Sequence, residues 1–228
     1  MKKNYYIGLI SIFFILATFS SVFVSKSSIF VLNENMDNVN KKKIIIIDAG
    51  HGGMDGGAAG KTGVLEREIN LQIAKKLDEV LTLAGFKTVM IRTDENDLSS
   101  EGKTIREKKR SDLQNRINTA NKYPDGIFIS IHQNTFTDSR YYGAQVFYNN
   151  DGSKEIAKKT QENLKMFLDK NNKREIKQIP SEILIMKNIK CQGILIECGF
   201  LSNEEEELLL LNSGYQLKIA LAILKSLY

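Results

Sequence analysis

The chain contains two histidines, and both stand where a strand is expected to end. His51 lies in the segment Ile-Asp48-Ala-Gly-His51-Gly-Gly, and His132 lies in Ile-Ser-Ile-His132-Gln-Asn134. A third apolar run ends in Glu197. Two imidazoles and one carboxylate are a recurrent ligand set of catalytic zinc, which leaves a fourth position for water. These residue types therefore predict a hydrolytic metal centre.

Spacing alone does not choose the carboxylate ligand of such a centre. The candidates are Glu66, Glu197, Asp48 and Asp55. A carboxylate that is not a ligand could move the proton, while the metal lowers the pKa of water and polarises a carbonyl. Asp48 and Asp55 could also orient a histidine from outside the ligand shell. Structural alternatives stay open, because a strand-end histidine is often only a satisfied polar residue, and Glu66 could simply favour a helix N-terminus.

The elements that must position these residues alternate between strands and helices. Residues 43–48 form a continuous β-branched run, typical of a strand buried on both faces. A glycine-rich loop over 49–60 follows, and apolar residues then recur at helical spacing from Glu66 until Gly85 caps the helix. Further strands are predicted over 86–91, 127–131, 143–148, 183–186 and 193–198, and helices over 106–122, 156–168 and 215–227.

This alternation predicts an α/β fold. We expect a single three-layer domain with a mostly parallel, twisted sheet and helices on both faces, preceded by an N-terminal hydrophobic helix. In such sheets, ligands bind beyond the carboxyl ends of the strands. Both histidines and Glu197 are therefore expected at one rim.

Composition is that of a folded globular protein. The 228 residues are 42% hydrophobic and 26% charged, with 16 glycines and 2 prolines, which excludes disorder as the main state. The net charge is +5, but the first 43 residues contribute +4 of it, so the rest of the chain has no basic footprint for nucleic acid. Cys191 and Cys198 are too far apart in an extended strand to form a disulfide, and we predict free thiols.

The N-terminus carries a candidate membrane segment. Residues 5–25 contain no charge and, at about 1.5 Å per residue, match the hydrocarbon core of a bilayer. Lys2 and Lys3 precede this run, which predicts export of the rest of the chain. We predict an uncleaved anchor, or alternatively a cleaved signal segment, over 1–26, a polar tether over 27–42 and a catalytic domain over 43–228. The domain is then expected on the outer face of a bacterial membrane, or free outside the cytoplasm.

From residue 43 to the C-terminus, a series of ordered motifs is similar to those of a known family. The motifs are Asp48-Ala-Gly-His51-Gly-Gly-Met-Asp55-Gly-Gly-Ala58, Glu66 with Asn70, Arg92-Thr-Asp94, Arg116 with Ala120-Asn121, Ser130-Ile-His132-Gln-Asn134, Gly143-Ala144 and Glu197-Cys-Gly-Phe-Leu-Ser-Asn203. The chain thereby resembles the zinc-dependent N-acetylmuramoyl-L-alanine amidases of the amidase-3 family, which cleave bacterial peptidoglycan.

The resemblance implies a site and a reaction. His51, Glu66 and His132 would bind one zinc ion per chain, and Glu197 would be the catalytic carboxylate. Zinc-activated water would cleave the amide between the lactyl group of muramic acid and L-alanine, with Glu197 acting as base and then as acid. Substrate-binding or supporting roles are implied for Asp48, Asp55, Asn70, Arg92 and Asn134.

The chain departs from the family pattern at two places and is most similar to one branch of the family. Gln133 stands where a small or apolar residue is common, and Gln192-Gly193 replaces a Pro-small pair. Neither is expected to touch a ligand, so we expect them to affect substrate fit. The leader and residues 97–116 are most similar to the spore-cortex, germination-specific amidases, whose action allows muramic-δ-lactam to form. This implies peptidoglycan, a membrane and an accessory lipoprotein as partners, in the forespore intermembrane space. The basic segment 103–110 follows the second predicted strand, so we expect it near the rim that carries His51 and His132.

Two other functions are compatible with these residues. Another zinc hydrolase, such as a carboxypeptidase or deacetylase, would use the same ligands on a different bond. A non-catalytic or accessory-dependent peptidoglycan-binding module would hold a structural metal. Such a site is closed by four protein ligands, whereas the motifs supply three and a spare carboxylate.

Overall fold

The structure is a computed structural model and describes residues 43–99 and 104–228. The predicted leader over 1–26 and tether over 27–42 lie outside the described residues. The strands are β1 (Ile44–Ala49), β2 (Lys87–Met90), β3 (Ile127–Asn134), β4 (Gln145–Tyr148), β5 (Lys177–Gln178) and β6 (Gln192–Phe200). The helices are α1 (Glu66–Leu83), α2 (Ile105–Ala120), α3 (Lys154–Phe167), α4 (Leu184–Asn188), α5 (Glu204–Leu211) and α6 (Ser213–Ser226).

The strands of the described chain form one sheet in the order β2-β1-β3-β6-β4-β5. β2, β1, β3 and β6 run parallel to one another. β4 is antiparallel to β6, and β5 is parallel to β4. The starts of β4 and β5 therefore lie at the same rim as the ends of the four parallel strands. The prediction of a mostly parallel sheet is confirmed.

Alternating strand side chains fill two cores, one on each face of the sheet. On the first face, Ile45 and Ile47 of β1 and Ile129 of β3 pack with residues of α1, α3 and α6. On the second face, Ile46 and Phe128 pack with residues of α2 and α4. Since successive side chains of a strand point to opposite faces, β1, β3, β4 and β6 each contribute to both cores. The predicted three-layer α/β architecture is confirmed.

Two helix boundaries follow from local chemistry. At the start of α2, the Thr104 side chain accepts a hydrogen bond from Glu107 N, and the Glu107 carboxylate accepts one from Thr104 N. This reciprocal pair is a capping box, which satisfies backbone donors at a helix N-terminus. Just after the C-terminus of α1, Gly85 adopts a φ of 85°, the left-handed conformation that ends many helices. The predicted role of Gly85 is confirmed.

The predicted strand over 183–186 is wrong. These residues enter α4 instead, where Ile189 N donates to Ile185 O at 3.1 Å and Met186 is buried against the sheet. A short apolar run looks the same in a buried helix turn as in a buried strand, so periodicity could not separate the two. The sequence also gives no sign of β5, which is too short for an alternating pattern.

The first turn of α5 anchors two loops through adjacent glutamates. Glu206 accepts hydrogen bonds from Gly143 N at 3.0 Å and from Phe200 N at 2.8 Å. Glu207 is 1% exposed and accepts a hydrogen bond from Lys61 N at 3.0 Å. α5 therefore connects the glycine-rich loop after β1 to the rim around β4 and β6.

Both cysteines are free thiols, as predicted. Cys191 belongs to the core on the second face and Cys198 to the core on the first. Burial raises the pKa of both thiols. They are therefore neutral packing groups rather than reactive thiolates.

Within the described residues, no single helix is long and apolar enough to cross a bilayer. α5 and α6 reach the required length and hydropathy only as a pair, which is bent by 83°. The membrane segment predicted over 5–25 lies outside the described residues, so the anchor stays a prediction.

Candidate active site

Neighbouring strands bring the candidate residues to one rim of the sheet. β1, β3 and β6 lie side by side, with Asp48 opposite Ser130 and His132 opposite Glu197. Alternation places these four side chains on the face covered by α2 and α4. His51 follows two residues after the end of β1. The two histidines and Glu197 therefore share this rim.

His51 has a left-handed backbone with a φ of 63°, which is uncommon for residues other than glycine. Arg116 Nη2 donates a hydrogen bond to His51 O. On the imidazole, Nδ1 lies 3.0 Å from Asp55 Oδ2, and Nε2 lies 3.3 Å from Glu66 Oε2. Strained backbone persists where surrounding contacts hold it, and it is concentrated at functional sites. Here the contacts direct the Nε2 edge of the ring toward Glu66.

Glu66 is the first residue of α1 and is 4% exposed. Its Oε1 lies 3.0 Å from His132 Nδ1 and accepts a hydrogen bond from Gln133 N at 3.1 Å. Its Oε2 accepts a hydrogen bond from Ala58 N at 2.9 Å. A glutamate that only favoured the helix N-terminus would not need these long-range partners. Its carboxylate is instead turned toward both histidines.

His51, Glu66 and His132 form a cluster that fits a metal ion. One potential ligand atom from each lies within 4.8 Å of the other two. The two imidazole rings are 5.0 Å apart between centroids, at an angle of 76°. Two histidines and one carboxylate match the donor set of catalytic zinc sites. Among the four carboxylates that the sequence left open, the geometry favours Glu66.

Two glycines make room for this cluster. A Cβ atom at Gly50 would lie 2.2 Å from the His132 ring. At Gly57, where φ is 68°, a Cβ atom would lie 2.5 Å from Glu66 Oε2 and 2.8 Å from His51 Cδ2. Both positions therefore need glycine, because any side chain would displace the cluster.

The cluster holds its own charges in place. Burial opposes the charged form of His51, but hydrogen bonds and charges from Glu66 and Asp55 outweigh it and raise the pKa of His51 to about 9. Burial also acts to raise the pKa of Glu66, yet His132 and His51 hold that pKa well below its usual range. Because ligands must be deprotonated to bind a metal, a cation bound here would displace the proton from His51.

Glu197 differs from the other three candidate carboxylates in its surroundings. Its Oε2 atom is buried and has no hydrogen bond within the part of the chain that the structure describes. Burial raises the pKa of Glu197 to about 7, although the nearby His132 acts in the opposite direction. A buried carboxylate without a partner is costly, so its presence indicates a function. A pKa near neutrality suits a group that accepts and returns a proton.

Arg116 supports the rim from beneath. Its Nη1 lies 2.6 Å from Asp48 Oδ1, and its Nε donates to Asp112 Oδ2 at 2.7 Å. Ser130 Oγ donates to the other oxygen of Asp48 at 2.7 Å. Asp48 thus serves the site through Arg116, and its side chain makes no hydrogen bond to a histidine among the described residues. Reasoning from the sequence assigned Arg116 no role, although the one-turn spacing of Asp112 and Arg116 is a signal for a helical ion pair.

Asn70 and Gln133 brace Glu66. Asn70 Nδ2 donates to Glu66 Oε1 at 3.3 Å and to Gly50 O at 3.1 Å. Gln133 Nε2 donates in turn to Asn70 Oδ1 at 3.1 Å. The expectation that Gln133 touches no ligand candidate is therefore wrong, since its backbone N–H also bonds to Glu66. The reason is that β3 passes directly beside the first turn of α1.

Three other positions lie outside the cluster. Arg92 is buried and donates to Gly50 O at 3.1 Å, so it braces the loop after β1. Asn134 Oδ1 accepts a hydrogen bond from Thr135 N, and no hydrogen bond joins its side chain to the cluster in residues 43–99 and 104–228. Gln192-Gly193 lies at the start of β6, away from the rim, so this departure does not bear on substrate fit.

The cluster opens into a cleft of about 410 Å³. Along α2, Lys109 lines the cleft with its Nζ 2.8 Å from Asp55 Oδ1. This residue of the predicted basic segment therefore lies near the rim, as expected. On another side, Ile183 and Leu184 at the start of α4 add apolar surface. The cleft thus combines a polar floor with an apolar wall. Potential metal ligands, a carboxylate of raised pKa and such a cleft together are typical of a metal-dependent hydrolase.

Comparison with known proteins identifies the family. Residues 45–228 match the Amidase_3 family, described as N-acetylmuramoyl-L-alanine amidase. The germination-specific N-acetylmuramoyl-L-alanine amidase of Bacillus subtilis (strain 168) is 38% identical over 188 residues, which are 81% of this chain and 78% of that protein. The N-acetylmuramoyl-L-alanine amidase LytC of the same strain is 31% identical and is matched over 34% of its length by 78% of this chain.

Solved structures show the same relationship. The CwlD amidase from Clostridioides difficile, solved in complex with the GerS lipoprotein, has a TM-score of 0.77 at 44% identity, over 81% of this chain and 95% of that chain. The N-acetylmuramoyl-L-alanine amidase from Clostridium difficile 630 has a TM-score of 0.68 at 33% identity, and the match covers 81% of this chain and 94% of that chain. The chain therefore belongs to the Amidase_3 family. It is a peptidoglycan amidase that cleaves the amide between muramic acid and L-alanine.

Proposed function

We propose that this amidase depends on zinc, with His51, Glu66 and His132 as ligands and Glu197 as the group that moves the proton. The observation that carries this assignment is the convergence of three ligand atoms beside Glu197, whose buried Oε2 has no hydrogen bond from any described residue. Bound zinc would act as a Lewis acid, which lowers the pKa of water and polarises the substrate carbonyl. A structural metal would need a fourth protein ligand, and the cluster found among the described residues has three.

The chain's own residues then have separate tasks. Asp55 accepts a hydrogen bond from His51 Nδ1, which fixes the tautomer that leaves Nε2 free. Glu197 takes a proton from the attacking water and returns it to the nitrogen of L-alanine as the amide bond breaks. Its pKa of about 7 suits both transfers near neutral pH. Arg116 holds the backbone of His51 in the orientation that the cluster needs.

The test is hydrolysis of a defined muropeptide by the full-length protein in detergent with zinc. We expect free stem peptide with a new amino terminus on L-alanine, detected by mass spectrometry. Release of D-alanine would indicate a carboxypeptidase instead, and release of acetate a deacetylase. Absence of every product from zinc-loaded protein would favour a non-catalytic module. Glu197→Gln is the matched control, because it changes one side-chain group and leaves all three ligands in place.

The spore cortex is the proposed location of the substrate. Support comes from the Bacillus subtilis relative, which is named germination-specific, and from the likeness to CwlD. Removal of the peptide from muramic acid is the step that allows muramic-δ-lactam to form. In a spore-forming host that lacks the gene, the cortex should contain no lactam. The full-length chain should restore it and the Glu197→Gln chain should not, whereas normal lactam in the deletion strain would contradict the proposal.

Export and a lipoprotein partner belong to the same proposal. Residues 5–25 are uncharged and follow Lys2 and Lys3, and the related CwlD amidase was solved with a lipoprotein. Protease added to intact protoplasts should digest the chain, and protection until lysis would contradict export. A GerS-like lipoprotein from the same host should raise turnover by the full-length protein. Unchanged turnover would argue against an accessory role.

A further inference from the structure

A second cavity, of about 560 Å³, is lined by the loop between β3 and β4 and by the segment before β5. Because β4 and β5 run opposite to the parallel strands, their starts lie at the catalytic rim. Gln145, the first residue of β4, stands directly opposite Glu197 in the ladder with β6. The chain segments around this cavity are therefore one strand away from the catalytic carboxylate.

Arg174 is held in a fixed position in the wall of this cavity. Its Nε donates to Tyr142 O at 2.9 Å, and its Nη1 donates to Gln145 Oε1 at 2.8 Å. The guanidinium lies over the Phe200 ring, 4.5 Å from the centroid. Asn172 is buried and accepts a hydrogen bond from Arg174 N at 2.9 Å, which fixes the backbone. A planar donor group held this way loses little further freedom when it binds an anion.

The charge of Arg174 is not neutralised by an ion pair. No carboxylate of residues 43–99 and 104–228 lies within 4.0 Å of its guanidinium. Its Nη2 atom donates no hydrogen bond to these residues, whereas Nε and Nη1 each donate one. Lys173, which also lines the cavity, is exposed and has no ionic partner in the same residues. Arg140, by contrast, is paired with Asp138 at 2.7 Å. Glu206 and Glu197 act on Arg174 from beyond ion-pair distance. The cavity therefore offers an incoming ligand two cations that have no direct ionic partner among the described residues.

We propose that this cavity binds a carboxylate of the stem peptide, with Arg174 as the hydrogen-bond donor and Lys173 as a second charge. The inference rests on the proposed function, because cleavage at Glu197 requires the peptide beyond L-alanine to lie along the rim. Stem peptides carry free carboxylates beyond L-alanine, some of which are amidated. Hydrogen bonds between ionised groups are roughly twice as strong as those between neutral groups. Acidic stems should therefore be preferred over their amidated forms.

Two dipeptides that differ in one group test the proposal: L-Ala-D-Glu with its γ-carboxyl capped as a methylamide, and the α-amide of the same compound. Calorimetry with the full-length protein should show about tenfold tighter binding of the acid by the wild type, the size expected for one charge-assisted hydrogen bond. Arg174→Gln should bring this ratio close to one. Lys173→Glu, at an exposed position outside the packed core, should also lower the ratio. Lys218→Glu on α6 is the matched control, because it changes an equally exposed lysine on another face and should keep the wild-type ratio.

Several outcomes would overturn the proposal. The first is equal binding of both dipeptides by the wild type. The second is a wild-type ratio of the two affinities in Arg174→Gln. The third is a wild-type ratio in Lys173→Glu, which is the deciding variant if Arg174→Gln does not fold. Hydrolysis of acidic and amidated muropeptides is measured in parallel. If both muropeptides are cleaved and the two dipeptides bind equally well, the cavity proposal alone is refuted. A preference for the acidic dipeptide without any cleavage refutes the proposed catalytic assignment alone.

Discussion

His132 and Glu197 stand directly opposite each other on the neighbouring parallel strands β3 and β6. One belongs to the proposed metal cluster, and the other has a buried oxygen that accepts no hydrogen bond from the described residues. Since adjacent strands are about 4.8 Å apart, a single step across the sheet separates the proposed ligand from the proposed proton-transfer group. Their spacing is set by sheet hydrogen bonds rather than by a mobile loop, which is the rigid support that a catalytic pair requires.

Replacement of His132 by alanine should remove the metal. Two remaining ligands cannot hold zinc in a site that needs three protein donors, so bound zinc after dialysis should fall well below one equivalent. Elemental analysis measures this. Asp125→Asn changes an exposed carboxylate before β3 and should retain full occupancy. Full occupancy in His132→Ala would refute the ligand assignment.

Glu197→Gln should separate metal binding from turnover. The variant keeps all three ligands, so its zinc content should equal that of the wild type. Its kcat should fall by about 10²–10⁴-fold, the usual contribution of a general acid or base. Zinc analysis and muropeptide kinetics on the same preparation measure both effects. Loss of zinc in this variant would instead make Glu197 a ligand.

The same carboxylate should lower the stability of the metal-free protein above neutral pH. Burial raises the pKa of Glu197 from 4.5 to about 7, so between these values the folded state keeps a proton that the unfolded state has lost. The free energy of unfolding therefore falls as pH rises through this window. Glu197→Gln lacks this effect and should be the more stable protein at pH 8, with the difference closing below about pH 4.5. Urea unfolding with a chelator tests this, and no gain at pH 8 would contradict it.

Gly50→Ala should disrupt the cluster although it adds one methyl group. The new Cβ atom would lie 2.2 Å from the His132 ring, so the imidazole must leave its present position beside Glu66. We expect loss of bound zinc and of hydrolysis. Gly63→Ala is the control, because nothing lies within 4 Å of its Cβ position. Its φ of 87° should cost about 1–2 kcal/mol of stability while zinc binding remains, and zinc retained by Gly50→Ala would contradict the packing argument.

Asp48→Asn should destabilise the fold more than the loss of a surface charge. Asp48 and Arg116 are 2% and 3% exposed, and removing one partner of a buried ion pair typically costs about 3–5 kcal/mol. The comparison is Glu155→Gln, which breaks an exposed pair with Lys159 and should cost at most about 1 kcal/mol. Denaturant unfolding measures both. Equal effects of the two substitutions would show that Arg116 does not depend on Asp48.

The larger elements of the fold were predictable because burial leaves a regular pattern in the chain. β1 begins with four consecutive isoleucines, and α1 repeats apolar residues at helical spacing. α4 and β5 were not predictable, since two to five residues carry no usable period. Their positions depend on packing against β6 and β4, which no local pattern encodes.

The site was predictable where strand ends determine it. His51, His132 and Glu197 follow apolar runs, so a parallel sheet had to gather them. The choice of Glu66 over the other carboxylates depends on how α1 docks against β3, and residue spacing does not contain that angle. The role of Arg116 likewise depends on where α2 crosses β1.

The adjacent glutamates at the start of α5 have a consequence for the way the protein opens. Glu207 holds the glycine-rich loop at Lys61, while Glu206 holds Gly143 and Phe200 at the rim. Local unfolding of α5 would release both regions in one event, because the same helical turn supplies both anchors. The amides of Lys61 and Phe200, although far apart in the chain, would then exchange hydrogen with solvent as one cooperative unit.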